Sequence, residues 1–173
     1  MLMKFFRVRE NAIIPQRANP SDAGCDVFYC PNENSEFGDV KGNSYVGTFI
    51  NHEIRIKPGQ NAIIPTGLKF SIPHNFALMV CNRSSFGAKK SLVYGAHVID
   101  SGYAGEVFID LHNIGTETQV INSGDKIAQL VLVPVISFQP LEAQKEEELY
   151  DIYPITISNR GAGALGSTDV KNK

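Results

Sequence analysis

The sequence predicts an all-β protein, a sandwich or barrel of short strands, on three observations. Segments rich in β-branched and aromatic residues recur along its 173 residues, and turn signals separate them roughly every ten residues. Helical periodicity is scarce, and the long gaps that parallel βαβ crossovers need are missing. A chain of this length forms one domain, and its 43% apolar and 20% charged residues are ordinary for a globular protein.

Taken in order, the predicted strands are bounded by Gly, Pro, Asn or Ser. They cover 4–9, 26–30, 52–56, 61–64, 68–72, 77–81, 106–112, 120–122 and 127–135. Two segments depart from this pattern. Residues 31–51, rich in Gly, Asn and Ser, predict an inserted hairpin or loop, whereas 141–150, with four glutamates and no Gly or Pro, allows one or two helical turns.

Composition argues against several classes of protein. Sixteen basic and 18 acidic residues leave a net charge of −2, so we expect no nucleic-acid partner. No apolar run reaches the roughly 20 residues of a membrane span, and the first ten residues lack a secretory signal, so no membrane partner is expected either. Three cysteines without a CxxC pair argue against disulfides and zinc, which favours a cytoplasmic location.

The first segment with candidate chemistry is the glycine-rich 159–168. Three glycines in 161–166 let backbone N–H groups converge on an anion, and Arg160, Ser167 and Thr168 add a guanidinium and two hydroxyls that suit a phosphate. No lysine follows the last glycine, so this is not a Walker A loop. Taken alone, such a segment is equally well a flexible chain end.

Two further segments combine polar groups with strand ends. Arg83, Ser84 and Ser85 offer a cation and two hydroxyls for phosphate oxygens, although the segment taken alone favours a surface turn. Asp100 follows two β-branched residues and precedes a Gly-Tyr turn, where a carboxylate can act as a general base towards water. The alternative is an aspartate that only starts a turn through its own backbone hydrogen bonds.

The last two segments are 22–27, with the carboxylate of Asp26, and 124–130, where a turn enters an apolar strand. Gln129 in that strand needs a hydrogen-bond partner, and Lys126 is interpreted as a turn or surface residue. The four histidines lack the spacing of metal ligands.

The five segments, in this order, resemble the trimeric deoxyuridine triphosphate nucleotidohydrolases (dUTPases). The matching motifs are AGCDV at 23–27, RSSFG at 83–87, GAHVIDSGYAGE at 95–106, GDKIAQLVL at 124–132 and RGAGALGST at 160–168. The resemblance implies a jelly-roll-like β-sandwich over 1–158, whose arm at 141–158 crosses to a neighbouring subunit, and a glycine-rich phosphate-binding tail at 159–173. It also implies a homotrimer with shared active sites.

The reaction that the resemblance implies is hydrolysis of dUTP to dUMP and pyrophosphate, which removes dUTP and supplies dUMP for thymidylate synthesis. Asp100 would orient and deprotonate the water that attacks the α-phosphorus. Mg²⁺ would sit on the triphosphate, and Asp26 would act on it through a metal-bound water.

The resemblance also implies which residues bind the substrate. Tyr103 would lie under the deoxyribose and leave no room for a 2′-hydroxyl, while main-chain groups of 95–108 would read uracil. The phosphate-binding residues would be Arg83, Ser84, Ser85, Gln129, Arg160, Gly166, Ser167 and Thr168, and those around the base Gly95, His97, Val98, Phe108 and Leu165.

The sequence departs from the family pattern at Ala164 and Leu165, where a glycine and a phenylalanine are usual. Leucine can cover the uracil by apolar contact but cannot stack as an aromatic ring does, so we expect weaker substrate binding. Gly102 stands where an acidic residue is frequent, and Cys25 replaces a frequent tyrosine.

Two other functions remain open from the sequence. A dCTP deaminase, or a bifunctional enzyme, shares a similar 99–105 segment and would use Asp110 in place of its catalytic glutamate. However, Ala88 stands where that family needs an arginine, and the deaminase lacks such a tail. A nucleotide-sensing regulatory protein is the third hypothesis, motivated by Leu165 and 31–51, although the retained Asp100 argues against a pure binder.

Overall fold

The computed structural model describes residues 2–31, 48–50 and 52–153, and within these ranges most of the regular secondary structure is β-strand. The strands are β1 (Lys4–Arg7), β2 (Cys25–Phe28), β3 (Thr48–Ile50), β4 (Glu53–Ile56), β5 (Asn61–Pro65), β6 (Leu68–Ser71), β7 (Phe76–Cys81), β8 (Leu92–Tyr94), β9 (Val98–Asp100), β10 (Phe108–Asn113), β11 (Gln119–Asn122) and β12 (Lys126–Pro134). One α-helix, α1 (Ser84–Lys90), and one 3₁₀ helix (Glu146–Tyr150) complete the described elements.

The strands form four antiparallel sheets. Their orders are β2-β12-β7-β9, β5-β10-β8, β11-β4-β3 and β1-β6. Neighbours in a sheet are mostly distant in sequence, as in β2 beside β12, so the fold depends on long-range pairing rather than on simple hairpins. This architecture confirms the prediction of an all-β sandwich built from short strands.

The core lies between the sheets and consists of the alternate residues of each strand. In β10, Ile109 and Leu111 are fully buried, whereas Phe108, Asp110 and His112 between them are half-buried on the other face. Burying an isoleucine or leucine side chain stabilises the fold by roughly 1.5–3 kcal/mol. The core also contains Val27, Ile54, Ile64, Leu78, Ile121 and Ile127.

All nine strands predicted from the sequence are present, within two residues at each end. The sequence prediction missed β3, β8 and β9, which have three residues each and are too short for alternation to be seen. It also missed α1, because seven residues with a single buried apolar side chain, Phe86, give no helical period.

Within the predicted insertion at 31–51, β3 pairs with β4 as an antiparallel neighbour, and residues 32–47 and 51 lie outside the described residues. Residues 138–173 form a unit separate from 1–137, and its 3₁₀ helix agrees with the helical turns that the sequence allowed. In the part of the chain that the structure describes, no helix has the length and apolar character to cross a membrane.

Candidate active site

A cavity of about 190 Å³ opens beside the edge strand β9. Four residues predicted from the sequence line it, namely Val98, Asp100, Tyr103 and Phe108. The remaining lining residues are Val80, Ala96, Ile99 and Val107, so Asp100 supplies the only charged side chain among those lining it. The structure therefore brings Val98 and Phe108, two of the residues predicted around the base, into one pocket with Asp100 and Tyr103.

The backbone of β9 is open on the cavity side. Among the described strands β9 pairs with β7 only, so alternate amide and carbonyl groups of 98–100 point away from β7 without a strand partner. His97 fixes the start of the strand, since its carbonyl accepts from Val80 N at 2.7 Å and its Nδ1 lies 3.2 Å from Val80 O. An edge of this kind can read the hydrogen-bonding pattern of a planar base.

Gly95 lies beside the cavity rather than in its lining. Its amide donates to Asp110 O at 3.0 Å, and a Cβ at this position would collide with the carboxylate of Asp110 and the ring of His112. Asp110 is itself held by Asn61 Nδ2 at 2.9 Å and by His112 Nε2 at 3.0 Å. Gly95 thus permits close packing of the segment before β9 against β10.

The carboxylate of Asp100 is exposed and has no hydrogen-bond or ion-pair partner among the described residues. Its main-chain carbonyl accepts from Tyr103 N at 3.0 Å and closes the turn. An aspartate that only starts a turn would bond its side chain to the nearby backbone, and this one does not. Its oxygens are therefore free to accept a proton from a water molecule.

The side chain of Tyr103 is held against the turn that follows Asp100. Its hydroxyl donates to Glu106 O at 2.8 Å, and its ring lies so close to Gly105 that a Cβ there would be 2.6 Å from the ring atom Cζ. Tyr103 is 46% exposed. A ring fixed in this way presents a rigid surface at the cavity.

A second group of polar residues surrounds Asp26 on β2. Lys126 Nζ lies 2.7 Å from Asp26 Oδ2, and Arg83 Nε lies 3.4 Å from Asp26 Oδ1. Arg83 Nη1 also donates to Lys126 O at 2.9 Å. The carboxylate therefore orients two cations. The sequence alone indicates a turn or surface residue at Lys126. Its contact with Asp26 becomes visible only through the antiparallel pairing of β2 with β12.

Ser84 and Ser85 occupy the first turn of α1, with Arg83 immediately before it. The sequence placed these residues in a turn at a strand end, and the structure corrects this, because burial of Phe86 draws the segment into a short helix. Gln129 Nε2 donates to Asn82 O at 3.2 Å, which confirms that the amide in the apolar strand has a partner. This bond ties β12 to the start of α1.

The structure does not bring the two groups of residues together within one chain. Asp26 is on β2 and Asp100 on β9, the opposite edges of the four-stranded sheet. Three strand spacings separate these edges by about 14 Å. Arg160, Leu165, Gly166, Ser167 and Thr168 lie outside the described residues.

Among the described residues, no three side chains of His, Cys, Asp or Glu are close enough to form a metal site. Asp26 nevertheless suits a magnesium ion that is held mainly by phosphates, because such an ion keeps several waters and needs few protein ligands. Each carboxylate oxygen also has a second lone pair beyond the one facing Lys126 or Arg83. The residues therefore fit an ion bound through water.

Comparison with known proteins gives one family. A dUTPase family model matches residues 49–156. The deoxyuridine 5'-triphosphate nucleotidohydrolase of Chlamydia trachomatis serovar L2 is 31% identical over 169 residues, covering 96% of this chain and 98% of its own. The protein of the same name from Desulfitobacterium hafniense is 33% identical over 160 residues, covering 91% and 87%.

Solved structures share the fold. A dUTPase variant of Staphylococcus bacteriophage 80alpha with dUpNHpp has a TM-score of 0.73 at 22% identity, covering 98% of this chain and 99% of its own. A variant from phage phi11 of S. aureus, described for its coordination of a structural Mg(II) ion, has a TM-score of 0.67 at 24% identity, covering 85% and 99%. These likenesses confirm the jelly-roll-like class of the fold.

The family model covers more than half of the chain, and the two relatives exceed 30% identity along nearly its whole length. The order of the motifs, the strand architecture and these matches agree, and the chain belongs to the dUTPase family.

Proposed function

We propose that this chain hydrolyses dUTP to dUMP and pyrophosphate, which removes dUTP and supplies dUMP for thymidylate synthesis. The observation that carries the proposal is the carboxylate of Asp100, which has no partner among the described residues and lines a cavity whose other side chains are apolar or aromatic. Membership of the dUTPase family supplies the substrate class.

Asp100 acts on the attacking water. Its carboxylate accepts a hydrogen bond from the water, aims its oxygen at the α-phosphorus and takes the proton as the new P–O bond forms. The bond from the α-phosphorus to the bridging oxygen breaks, and pyrophosphate leaves.

Arg83, Ser84 and Ser85 bind phosphate oxygens through the guanidinium and the two hydroxyls. Asp26 supports this role, because its carboxylate holds the Nε side of Arg83 and leaves Nη2 to the substrate. Gln129 lies at the same end of the sheet, tied to Asn82. We assign the γ-phosphate end to Arg160, Gly166, Ser167 and Thr168 from the family pattern of the tail at 159–173.

Sugar and base are selected at the cavity. Tyr103 packs under the deoxyribose, where a 2′-hydroxyl would meet the fixed ring. The open edge of β9 offers main-chain groups to uracil, whose N3 donates and O4 accepts, and cytosine presents the reverse. A mismatched base leaves these groups unpaired, and such mismatches can lower kcat/KM for the wrong nucleotide by a factor on the order of 10⁴. Gly95, His97, Val98 and Phe108 shape this side, and Leu165 covers the base.

Magnesium is the cofactor we assign. When bound, Mg²⁺ neutralises charge on the triphosphate and fixes its conformation. Asp26 would hold a water of that ion, and Lys126 and Arg83 keep the carboxylate oriented towards it.

We also propose a homotrimer with shared active sites. Arg83 contacts Asp26 at one edge of the four-stranded sheet and Asp100 is at the other, about 14 Å away, so one chain cannot place both on the same phosphate group. The outward face between them carries half-buried apolar residues such as Met79, Val131 and Val133, which suit an interface. The arm at 141–158 would carry the tail to a neighbouring site.

Light scattering should give about three times the 19.0 kDa chain mass, and a monomer would contradict the shared site.

Neither alternative function is favoured. A dCTP deaminase would need Asp110 as a reacting group, whereas its carboxylate is occupied by Asn61 and His112. A purely regulatory role would not require Asp100, whose carboxylate contacts no other side chain in the described part of the chain. We place the enzyme in the cytoplasm, since Cys25, Cys30 and Cys81, which all lie within the described residues, form no disulfide, as in a reducing compartment.

Product analysis tests the proposed reaction. The purified enzyme with magnesium is given dUTP, dCTP, dTTP and UTP separately, and nucleotides and pyrophosphate are followed by chromatography. We expect dUMP and pyrophosphate from dUTP alone. Uridine nucleotides formed from dCTP would revive the deaminase, and binding of dUTP without turnover would indicate the regulatory role.

A further inference from the structure

Arg9 and Glu106, neither of which is assigned to the substrate or the metal, form an ion pair. Arg9 Nη1 donates to Glu106 Oε2 at 3.1 Å, and Nη2 donates to Glu106 Oε1. The side chains are only 19% and 13% exposed. Burial disfavours the charged guanidinium, but the hydrogen bonds and charges of Glu106 and Cys30 together outweigh it and raise the pKa of Arg9.

The carboxylate of Glu106 also binds a second part of the chain. Gly67 N donates to Glu106 Oε1 at 2.7 Å, in a turn that requires glycine because its φ is +71°. Val8 N donates to Gly67 O at 2.8 Å, so the segment after β1 and the turn after β5 together enclose the carboxylate. Glu106 is thereby anchored to two elements that do not line the cavity.

Glu106 is also bonded to Tyr103, one of the residues that line the cavity. The main-chain carbonyl of Glu106 accepts the Tyr103 hydroxyl at 2.8 Å. The next residue, Val107, is fixed as well, since its amide donates to Leu68 O at 2.8 Å and its carbonyl accepts from Thr66 Oγ1 at 2.7 Å. The position of the Tyr103 ring is therefore set by how firmly Glu106 is held.

We propose that Arg9 and Glu106 are positioning residues that fix Tyr103 and so determine the selection of deoxyribose over ribose. The inference rests on the proposed role of Tyr103 in the proposed dUTP hydrolysis. Excluding a single hydroxyl requires that the ring cannot yield, and the buried ion pair prevents the 101–107 turn from moving. Buried ion pairs often add little to stability, and holding a specific geometry is a use that some of them have.

The experiment compares kcat/KM for dUTP and UTP in the full-length enzyme with magnesium. Arg9→Met should lower the dUTP-to-UTP ratio at least tenfold, chiefly by admitting UTP, and Arg9→Lys should restore part of it. Arg55→Met is the matched control, because Arg55 forms an ion pair with Glu53 on β4 and its side chain is 51% exposed. It should leave the ratio unchanged. A general loss of stability would lower both rates together and leave the ratio intact, and that result would overturn the proposal.

Two further variants keep the test decisive. Glu106→Gln removes the carboxylate charge that pairs with Arg9 but retains an acceptor for Gly67 N. If Arg9→Met does not fold, Glu106→Gln must itself lower the dUTP-to-UTP ratio of kcat/KM. Tyr103→Ala separates the two proposals. A lowered ratio in Tyr103→Ala with an unchanged ratio in Arg9→Met and Glu106→Gln would refute the positioning role alone. An unchanged ratio in Tyr103→Ala would refute the role of Tyr103 and, with it, the inference. Wild-type enzyme that does not hydrolyse dUTP would refute the proposed function.

Discussion

The two edges of the four-stranded sheet treat a carboxylate in opposite ways. On β2, Asp26 is 15% exposed and contacts both Lys126 and Arg83. On β9, Asp100 is exposed and has no side-chain partner among the described residues. One carboxylate has its charge balanced inside the chain, and the other keeps its charge in water.

The difference follows from burial and indicates two kinds of task. A half-buried carboxylate must be paired, since removing its charge from water without a partner is costly. Once paired, it can orient a cation towards a phosphate, which is the role proposed for Asp26 beside Arg83. An exposed carboxylate needs no partner and can exchange a proton with water. The edge at Asp26 therefore suits binding, and the edge at Asp100 suits the chemical step.

The strongest way to break this comparison is Asp100→Asn. The amide keeps the shape of the carboxylate but cannot take a proton from water, so kcat should fall by roughly 10²–10⁴ while nucleotide binding persists. Initial rates with dUTP and calorimetric binding of a non-hydrolysable analogue measure the two effects. Glu117→Gln, an exposed carboxylate elsewhere, is the control. Turnover within tenfold of wild type would mean that Asp100 does not activate the water.

At the other edge, Asp26→Asn should act on binding instead. Loss of a charge-assisted contact of roughly 1.5–3 kcal/mol predicts a rise in KM for dUTP of about 10- to 100-fold, with a smaller change in kcat. The magnesium concentration for half-maximal rate should rise as well, because Asp26 would no longer hold the metal-bound water. Steady-state kinetics over a magnesium titration gives both numbers.

Lys126→Met is the matched variant for this second test, since it removes a partner of Asp26 and leaves the carboxylate in place. It should raise KM less than Asp26→Asn and leave the magnesium dependence close to wild type. Equal magnesium curves for Asp26→Asn and wild type would show that Asp26 serves only to orient the cations.

The sequence allowed the strands to be predicted because alternation in segments such as β10 is a local property. The family motifs in the sequence also identify candidate site residues, namely Asp26, Arg83, Asp100 and Tyr103. The contact between Lys126 and Asp26 could not be predicted from the sequence, because it depends on the register of β12 against β2, a hundred residues apart in the chain. The same holds for Arg9 and Glu106, whose separation is 97 residues.

A smaller effect is expected at Leu165, which lies outside the described residues. If the tail covers the base over the Asp100 edge, Leu165→Phe adds aromatic stacking worth about 0.5–1.5 kcal/mol and should lower KM for dUTP by roughly 2- to 10-fold. The kcat of Leu165→Phe should stay close to that of wild type, because the substitution does not touch the reacting atoms. Steady-state kinetics measures it, and an unchanged or higher KM would mean that residue 165 does not cover the base.

The smallest effect concerns the support beneath the Asp26 edge. Tyr94 is buried and donates from its hydroxyl to Ile127 O at 2.7 Å, next to Lys126. Burial raises the pKa of Tyr94 to about 12, against the opposing effect of the nearby Arg83. Tyr94→Phe loses this hydrogen bond and should lower the free energy of unfolding by about 1 kcal/mol at pH 8.

The pH dependence separates this hydrogen bond from a simple packing change. In the unfolded chain a tyrosine ionises near pH 10, whereas folded Tyr94 keeps its proton to about pH 12. Its contribution is therefore complete below pH 10 and is lost as the pH rises from 10 to 12. A pKa difference of one between the folded and unfolded states is worth about 1.4 kcal/mol, so urea unfolding at pH 8, 10 and 11.5 should show the free energy of unfolding of wild type falling by roughly 2 kcal/mol relative to Tyr94→Phe, which reverses the order of the two proteins at pH 11.5. A constant difference would mean that ionisation of Tyr94 is not linked to folding.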